Sequence, residues 1–385
     1  MSALPGEGAR LDIDVGAVRR NWARAAASFT GGTLGAVVKC DAYGLGAAHL
    51  VPLLAQLGCR DFWVATVAEA AQLPAEAARI FVLNGLAGAH PAEFRRAGWI
   101  PVLASLDEVI VARAEAARLG GLPVAIQLDT GLGRLGLGLD EVRRLIVEPG
   151  LLDGLDLKLW VSHLGFFADP GHPANLRQRR RLKAWLARLP AAPVSLASSS
   201  GVFDRPDWHF DHARIGSALY GVNTLRERDV GLAPVASLSG PILRVAEVRA
   251  GAGVGYHGLY RAPARRRLAT VGLGYADGVP QALGGRGTLL VAGHAAPIVG
   301  GIAMGLMSID VSHVPESLAV PGARAGLYGA GQPLESVAAL AGLTPNALLT
   351  ATGLHVARLY RDEPAQATAA ESSGSSSGSL AVAGR

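Results

Sequence analysis

The chain has 385 residues, half of them hydrophobic and 17% charged, with 50 glycines; this excludes a disordered chain and leaves room for two domains or one large barrel. Its formal charge is +5, but the basic residues are scattered, and the clusters at 177–183 and 261–267 read as solvated helix faces, so no nucleic-acid partner is expected. Cys40 and Cys59 are too far apart for a CxxC pair, and Glu7, Arg10, Asp12, Asp14, Arg19 and Arg20 leave no apolar run for a secretory signal, so a reducing, cytoplasmic location is expected.

From Leu34 to about Leu219, short aliphatic runs alternate with amphipathic segments, the pattern of βα units around a parallel sheet. The runs begin near Leu34, Phe62, Ile80, Ile100, Val124, Leu157, Val194 and His212, and stretches such as 105–119 and 173–189 read as helices. Ser105 followed by Glu108 predicts a capping box. Eight strands with helices between them predict a TIM (β/α)8 barrel over residues 1–232, an open doubly wound sheet being the alternative. After about Gly231 the segments PILRVAEV, RLATVGL, GTLLVAG and APIVGG are short and rich in Gly and Val, which predicts a separate, mostly-β domain over 233–362. Residues 287–309 carry no charge and are long enough to cross a bilayer, yet Gly, Pro and His interrupt them; paired core strands are expected, and no membrane partner. The Ser/Gly/Ala tract at 363–385 cannot bury enough apolar surface to order itself and is expected to be disordered.

Lys39 closes the run LGAVVK and so falls at the carboxyl end of the first barrel strand, where barrel enzymes place catalytic groups. A lysine among apolar neighbours loses solvation, gives up its proton more readily and can attack an aldehyde. A snorkelling surface lysine is the ordinary alternative.

The segment AVVKCDAYGLG resembles the cofactor-binding segment of the alanine racemase family, in which the lysine is joined covalently to pyridoxal 5'-phosphate. The resemblance runs from LDIDVGAVRRNW to ARLY at Tyr360, with its motifs in order, and omits only the tail. It implies a phosphate contact at Tyr43, another at Ser199 in SLASSSG, and a last one at Tyr360. In QLDTGLGRLG it implies that Arg134 supports the substrate carboxylate, a task suited to a planar, permanent cation. It places His163 of WVSHLGF against the pyridine ring. In ARIGSALYG it sets Arg214 at the pyridine nitrogen and gives Gly216 and Ser217 to the phosphate. A donor with a pKa above roughly 12 leaves that nitrogen without a proton of its own, which weakens the ring as an electron sink and suppresses transamination.

Racemisation needs a base on each face of the α-carbon. The resemblance assigns Lys39 to one face and Tyr256, in AGAGVGYHGLY, to the other, the tyrosine being supplied by the partner subunit of a head-to-tail homodimer. It also puts Tyr275 of VGLGYADG at the substrate entrance and the backbone amide of Met304 on the substrate carboxylate. Some positions depart from the family pattern: Gln127 stands where many members carry a carbamylated lysine, Gly305 for aspartate, Ser198 for asparagine, Leu45 for histidine and Ala303 for cysteine. These remove charge or bulk near the substrate and leave the cofactor residues intact. The sequence therefore reads as a racemase of alanine with no metal. A racemase, lyase or decarboxylase of the same fold acting on another small amino acid is the alternative, and a non-catalytic cofactor carrier a third reading, disfavoured by the full β domain.

Overall fold

A computed structural model of the chain describes residues 8–225, 228–353 and 356–362; the Ser/Gly/Ala tract at 363–385 lies outside them. The first strand, β1 (Arg10–Asp14), buries Leu11 and Ile13 on one face, and Asp14 then caps the helix Val15–Ser28 by accepting the Ala17 N–H at 2.8 Å. The eight aliphatic runs all become strands: β2 (Thr33–Val37), β3 (Asp61–Val64), β4 (Arg79–Val82), β5 (Trp99–Leu103), β6 (Leu122–Gln127), β7 (Leu155–Val161), β8 (Val194–Ser198) and β9 (His212–Ile215). Each pairs in parallel with the next, and β9 pairs with β2 to close the barrel. The connections between successive strands carry helices, so both faces of the strands are covered and polar alternation within them is weak.

One buried cluster fills the barrel interior, with Trp63, Phe81, Ile100, Val102, Ala125 and Leu159 among its members. Gly35 on β2 makes room for it: a Cβ there would stand 2.7 Å from Trp63 Nε1 and 2.9 Å from His212 Cε1. The capping box at the helix Leu106–Leu119 forms only by half. Ser105 Oγ accepts the Glu108 N–H at 3.2 Å, but the Glu108 carboxylate takes the N–H groups of Ala104 (2.7 Å) and Leu86 (2.9 Å) instead of its own N-cap. The competing donors lie on the loop after β4 and at the end of β5, so the carboxylate joins two neighbouring loops.

The second sheet is built from β10 (Ala236–Val248), β13 (Arg266–Val271), β14 (Thr288–Val291), β15 (His294–Val299), β16 (Met307–Asp310), β17 (Arg324–Tyr328) and β18 (Ala357–Arg361), with a small hairpin of β11 (Gly253–Val254) and β12 (Tyr260–Arg261) beside it. The uncharged stretch 287–309 forms β14, β15 and part of β16, antiparallel neighbours in this sheet. No helix among the described residues is long and apolar enough to cross a membrane. The strand β1 belongs here as well, antiparallel to β10 and parallel to β18. The chain thus starts in the second sheet, builds the barrel and returns, which ties the two units together at both ends.

Replacing Gly35 with Ala is expected to lower unfolding stability by about 1–3 kcal/mol, the usual cost of overpacking a filled interior. Urea unfolding of the variant beside the parent chain checks this.

Candidate active site

The carboxyl ends of the barrel strands open into a cavity of ≈ 280 Å³ whose lining includes Lys39, Tyr43, His163, Ser199, Arg214 and Ser217. Gln127, Arg134 and Gly216 also face it. Of the residues singled out from the sequence, those of the barrel converge here; Tyr256, Tyr275, Met304 and Tyr360 do not.

Lys39 follows β2, and after it Cys40, Asp41, Ala42 and Tyr43 all take left-handed helical angles, with φ between 52° and 58°. Such angles cost L-residues roughly 1–2 kcal/mol each, so the surroundings must hold them. Glu69 Oε1 accepts the Cys40 N–H at 3.0 Å, Asp41 Oδ1 accepts the Ala47 N–H at 2.7 Å, and Arg358 on β18 donates to Asp41 Oδ2 at 2.6 Å. The turn carries Tyr43 back over the cavity, against Tyr220, with its hydroxyl so near Gly216 that a Cβ on that glycine would lie 2.5 Å away. Burial pushes the Tyr43 phenol up to about 12, so it remains a donor at neutral pH.

Around that hydroxyl lie the groups a phosphate needs. Ser199 Oγ accepts the N–H groups of Gly216 (3.1 Å) and Ala218 (3.2 Å), and Ser217 Oγ accepts from Asn346 Nδ2 at 2.9 Å. Asn346 comes from the helix Pro345–Gly353 of the second domain, and no motif in the sequence marks it. Hydroxyls, backbone amides and a side-chain amide around a glycine that admits no Cβ fit a phosphate monoester.

The other end of the cavity holds Arg214. Its Nη1 donates to Ser195 O (2.9 Å) and Ser195 Oγ (2.6 Å), and its Nη2 donates to Ser162 O (2.8 Å) and His163 Nδ1 (3.3 Å). Burial, with Arg134 adding repulsion, brings this guanidinium down to about 10, and it stays charged at neutral pH. Burial first, then Arg214, Arg134 and Lys39, lower His163 to about 3, so its imidazole is neutral and Nδ1 is the acceptor. The loop of His163 is held by Gln178, another residue without a sequence signal: its Nε2 donates to His163 O at 3.0 Å and its Oε1 accepts the Gly165 N–H at 2.9 Å.

Arg134 stands on a loop folded by Asp129, whose Oδ1 accepts the N–H groups of Gly131, Leu132 and Gly133. The buried Gln127 also braces this loop, donating to Leu135 O at 2.8 Å. A neutral amide therefore acts on the backbone beside Arg134, where an anion would act on the guanidinium.

Tyr360 requires a correction. It lies outside the cavity, stacked on His49 with ring centroids 3.9 Å apart, and its hydroxyl donates to Leu45 O at 3.0 Å. The alternation of β18 puts it on the same face as Arg358, and both residues support the turn after Lys39 instead of touching the cavity. Tyr256, Tyr275 and Met304 are 76%, 41% and 64% exposed on the second domain. The N–H groups of Tyr275 and Ala276 donate to Ala303 O (3.0 Å) and Met304 O (2.8 Å), which sets Tyr275 and Met304 side by side at one rim.

A lysine, a hydroxyl-lined anion cradle and a buried arginine at the mouth of a closed parallel barrel define a barrel enzyme built around a phosphorylated aldehyde cofactor. Family models for the alanine racemase N-terminal domain and C-terminal domain match residues 13–224 and 235–360. An alanine racemase of Brucella canis is 40% identical over 370 residues, 92% of this chain and 93% of the relative. One of Acidiphilium cryptum is 42% identical over 353 residues, 91% and 98% of the two chains. The crystal structure of alanine racemase from Bartonella henselae with covalently bound pyridoxal phosphate aligns with a TM-score of 0.87 at 34% identity, covering 92% of this chain and 99% of that one. The chain belongs to the alanine racemase family.

Because folded His163 resists protonation down to about pH 3 while an unfolded histidine titrates near 6.5, the unfolded state binds more protons between those values. Stability is therefore expected to fall as pH drops through that window, by up to about 1.4 kcal/mol per pH unit from this residue. His209 and His212, also lowered by burial, add to the slope. His163→Asn should flatten part of it, as measured by urea unfolding at a series of pH values.

Proposed function

We propose that this chain is a pyridoxal-phosphate enzyme that interconverts L- and D-alanine. The observation that carries the reading is the convergence on one cavity of Lys39 and the buried, cationic Arg214, in a chain of this family. Pyridoxal phosphate, when bound, supplies an electron-withdrawing ring that acidifies the substrate α-hydrogen. Lys39 anchors it and serves as the base on one face, taking or returning a proton at Nζ. Tyr43, Ser199, Gly216 and Ser217 would hold the phosphate, and His163 would offer the ring a neutral imidazole. Arg214 keeps its own proton and would meet the ring nitrogen as a donor only, which would leave that nitrogen unprotonated and favour proton exchange over transamination. Arg134 pairs with the substrate carboxylate.

The second base is Tyr256 of a second copy of this chain, in a homodimer that shares its active sites. Tyr256, Tyr275 and Met304 are exposed and absent from the cavity of their own chain, as a wall meant for a partner would be. The two cysteines are free, which suits a cytoplasmic enzyme. A second reading, a different small amino acid as substrate, is favoured by one feature: glycine at 305, beside Met304, puts no side chain or charge on the wall proposed for the partner's site.

Incubation with L-alanine and cofactor should give D-alanine in a coupled oxidase assay, and its absence at high enzyme concentration would overturn the alanine assignment. Tyr256→Phe should keep the visible absorbance of the bound cofactor and lose at least about 100-fold in kcat. Mixing Tyr256→Phe with Lys39→Ala subunits should restore about a quarter of the parental activity, since half the random dimers then hold one intact site; no recovery would exclude shared sites.

A further inference from the structure

The groups that hold Arg214 lead away from the cavity and down the inside of the barrel. Ser195 on β8, which receives the Arg214 Nη1 proton at 2.6 Å, has its Oγ 3.1 Å from His212 Nδ1. His212 opens β9, and its Nε2 lies 3.0 Å from Asp61 Oδ2 at the start of β3. Asp61 Oδ1 accepts from Arg79 Nε at 2.5 Å, at the start of β4. Asp61 and His212 are each 2% exposed, Ser195 is fully buried, and Arg214 lies on the inner face of β9 two residues after His212. Trp63 lies under the guanidinium at 5.5 Å and meets the His212 ring edge-on at 5.4 Å. Among the described residues, no carboxylate is within ion-pair distance of Arg214, so this line is its route to a negative charge, beside the π face of Trp63.

Counting donors fixes the direction of the line. A carboxylate only accepts, so His212 Nε2 carries the hydrogen that faces Asp61. Burial disfavours an imidazolium beside Arg214, which leaves His212 Nδ1 as an acceptor for the Ser195 hydroxyl. The Ser195 oxygen is then free to accept from Arg214. A protonated His212 would reverse the middle of the line, turning the serine hydroxyl to its other acceptor, His212 O at 3.0 Å, and setting a second cation near the first. Barrel interiors are ordinarily filled by branched aliphatic layers, and an aspartate, a histidine and an arginine buried there are weak contributors to stability.

We propose that Ser195, His212 and Asp61 are positioning residues, a one-directional hydrogen-bond line from Arg214 to a buried carboxylate that fixes the guanidinium toward the ring nitrogen of the cofactor and keeps the enzyme from transaminating. The proposal rests on the racemase reading above. None of the three is among the residues that line the cavity. Their effect reaches the chemistry through Arg214: a guanidinium held by its far side presents a steady donor to the ring nitrogen, whereas a loosened one lets that nitrogen take a proton from water. A protonated ring would accept more charge and let alanine be oxidised at the expense of the cofactor aldehyde, water then supplying the oxygen of the released pyruvate while the amino group stays on the cofactor as pyridoxamine phosphate.

The test uses the holoenzyme and the variants Ser195→Ala, Ser195→Thr and Asp61→Asn. Ser195→Ala should lower kcat roughly tenfold, with KM for alanine changed by less than about twofold, the rate equivalent of about one pKa unit of interaction. Pyruvate and the pyridoxamine form should accumulate faster per racemisation event, and Ser195→Thr, which keeps the hydroxyl, should restore both values. Asp61→Asn should act in the same direction, and the double variant Ser195→Ala/Asp61→Asn should be no worse than the more impaired single one, because one line is broken twice. Nitrogen NMR of histidine-labelled protein should show His212 neutral with its hydrogen on Nε2.

Unchanged kcat and pyruvate formation in a folded, cofactor-loaded Ser195→Ala protein would overturn the proposal, as would strictly additive losses in the double variant. Should Asp61→Asn fail to fold, Ser195→Ala, which deletes a single hydroxyl, still decides. A parent enzyme that makes no D-alanine would defeat the racemase reading instead, and the His212 tautomer would then judge the line alone: a hydrogen on Nδ1 overturns it.

Discussion

A guanidinium buried inside a barrel is the constraint around which the interior of this protein is arranged. Removing a cation from water is unfavourable unless its hydrogens all find acceptors and its charge finds an answer. Four of the five N–H groups of Arg214, those of Nη1 and Nη2, find acceptors in Ser162 O, Ser195 O, Ser195 Oγ and His163 Nδ1. The charge is answered by the π face of Trp63 and, at one remove, by Asp61. Gly35 lacks a side chain so that Trp63 and His212 can occupy their places, and His163 is kept neutral in part because Arg214 is charged. The lower barrel is therefore committed to one side chain at its mouth.

The loops above are held by a repeated device. Glu69, Glu108 and Glu141, each in the first turn of its helix, take one N–H from their own loop and one from a neighbouring segment. Glu69 in this way fixes Cys40, the residue after Lys39, at an angle that its own backbone disfavours. Three carboxylates thus join successive loops around the mouth, and a lysine at a strand end becomes a group of fixed direction.

The second domain takes part even within a single chain. Asn346 reaches the anion cradle, and Arg358 and Tyr360 brace the turn that carries Tyr43. The sheet that sends Arg358 and Tyr360 is pinned to the barrel by β1, which precedes the barrel in sequence and pairs with β18 at its end.

The amino-acid sequence by itself determined the eight barrel strands, since each is a short aliphatic run bounded by polar helices, and it determined the paired strands of 287–309, since Gly, Pro and His forbid a long helix there. Motifs local in the chain also marked Lys39, by its place at the end of an aliphatic run, and Tyr43, His163, Arg134, Ser199 and Arg214, by their resemblance to the alanine racemase family. Only the tertiary structure decided the rest. Arg10–Asp14 falls within the residues expected to form the barrel, and its place in the second sheet depends on partners more than two hundred residues away. Tyr360 looks like a ligand contact within its motif, yet the face of β18 it occupies turns it to Leu45 O. Asp61, Ser195, His212, Gln178 and Asn346 carry no local pattern, because a hydrogen bond between distant residues is set by where closure of the barrel brings their side chains, and a linear sequence does not contain that distance.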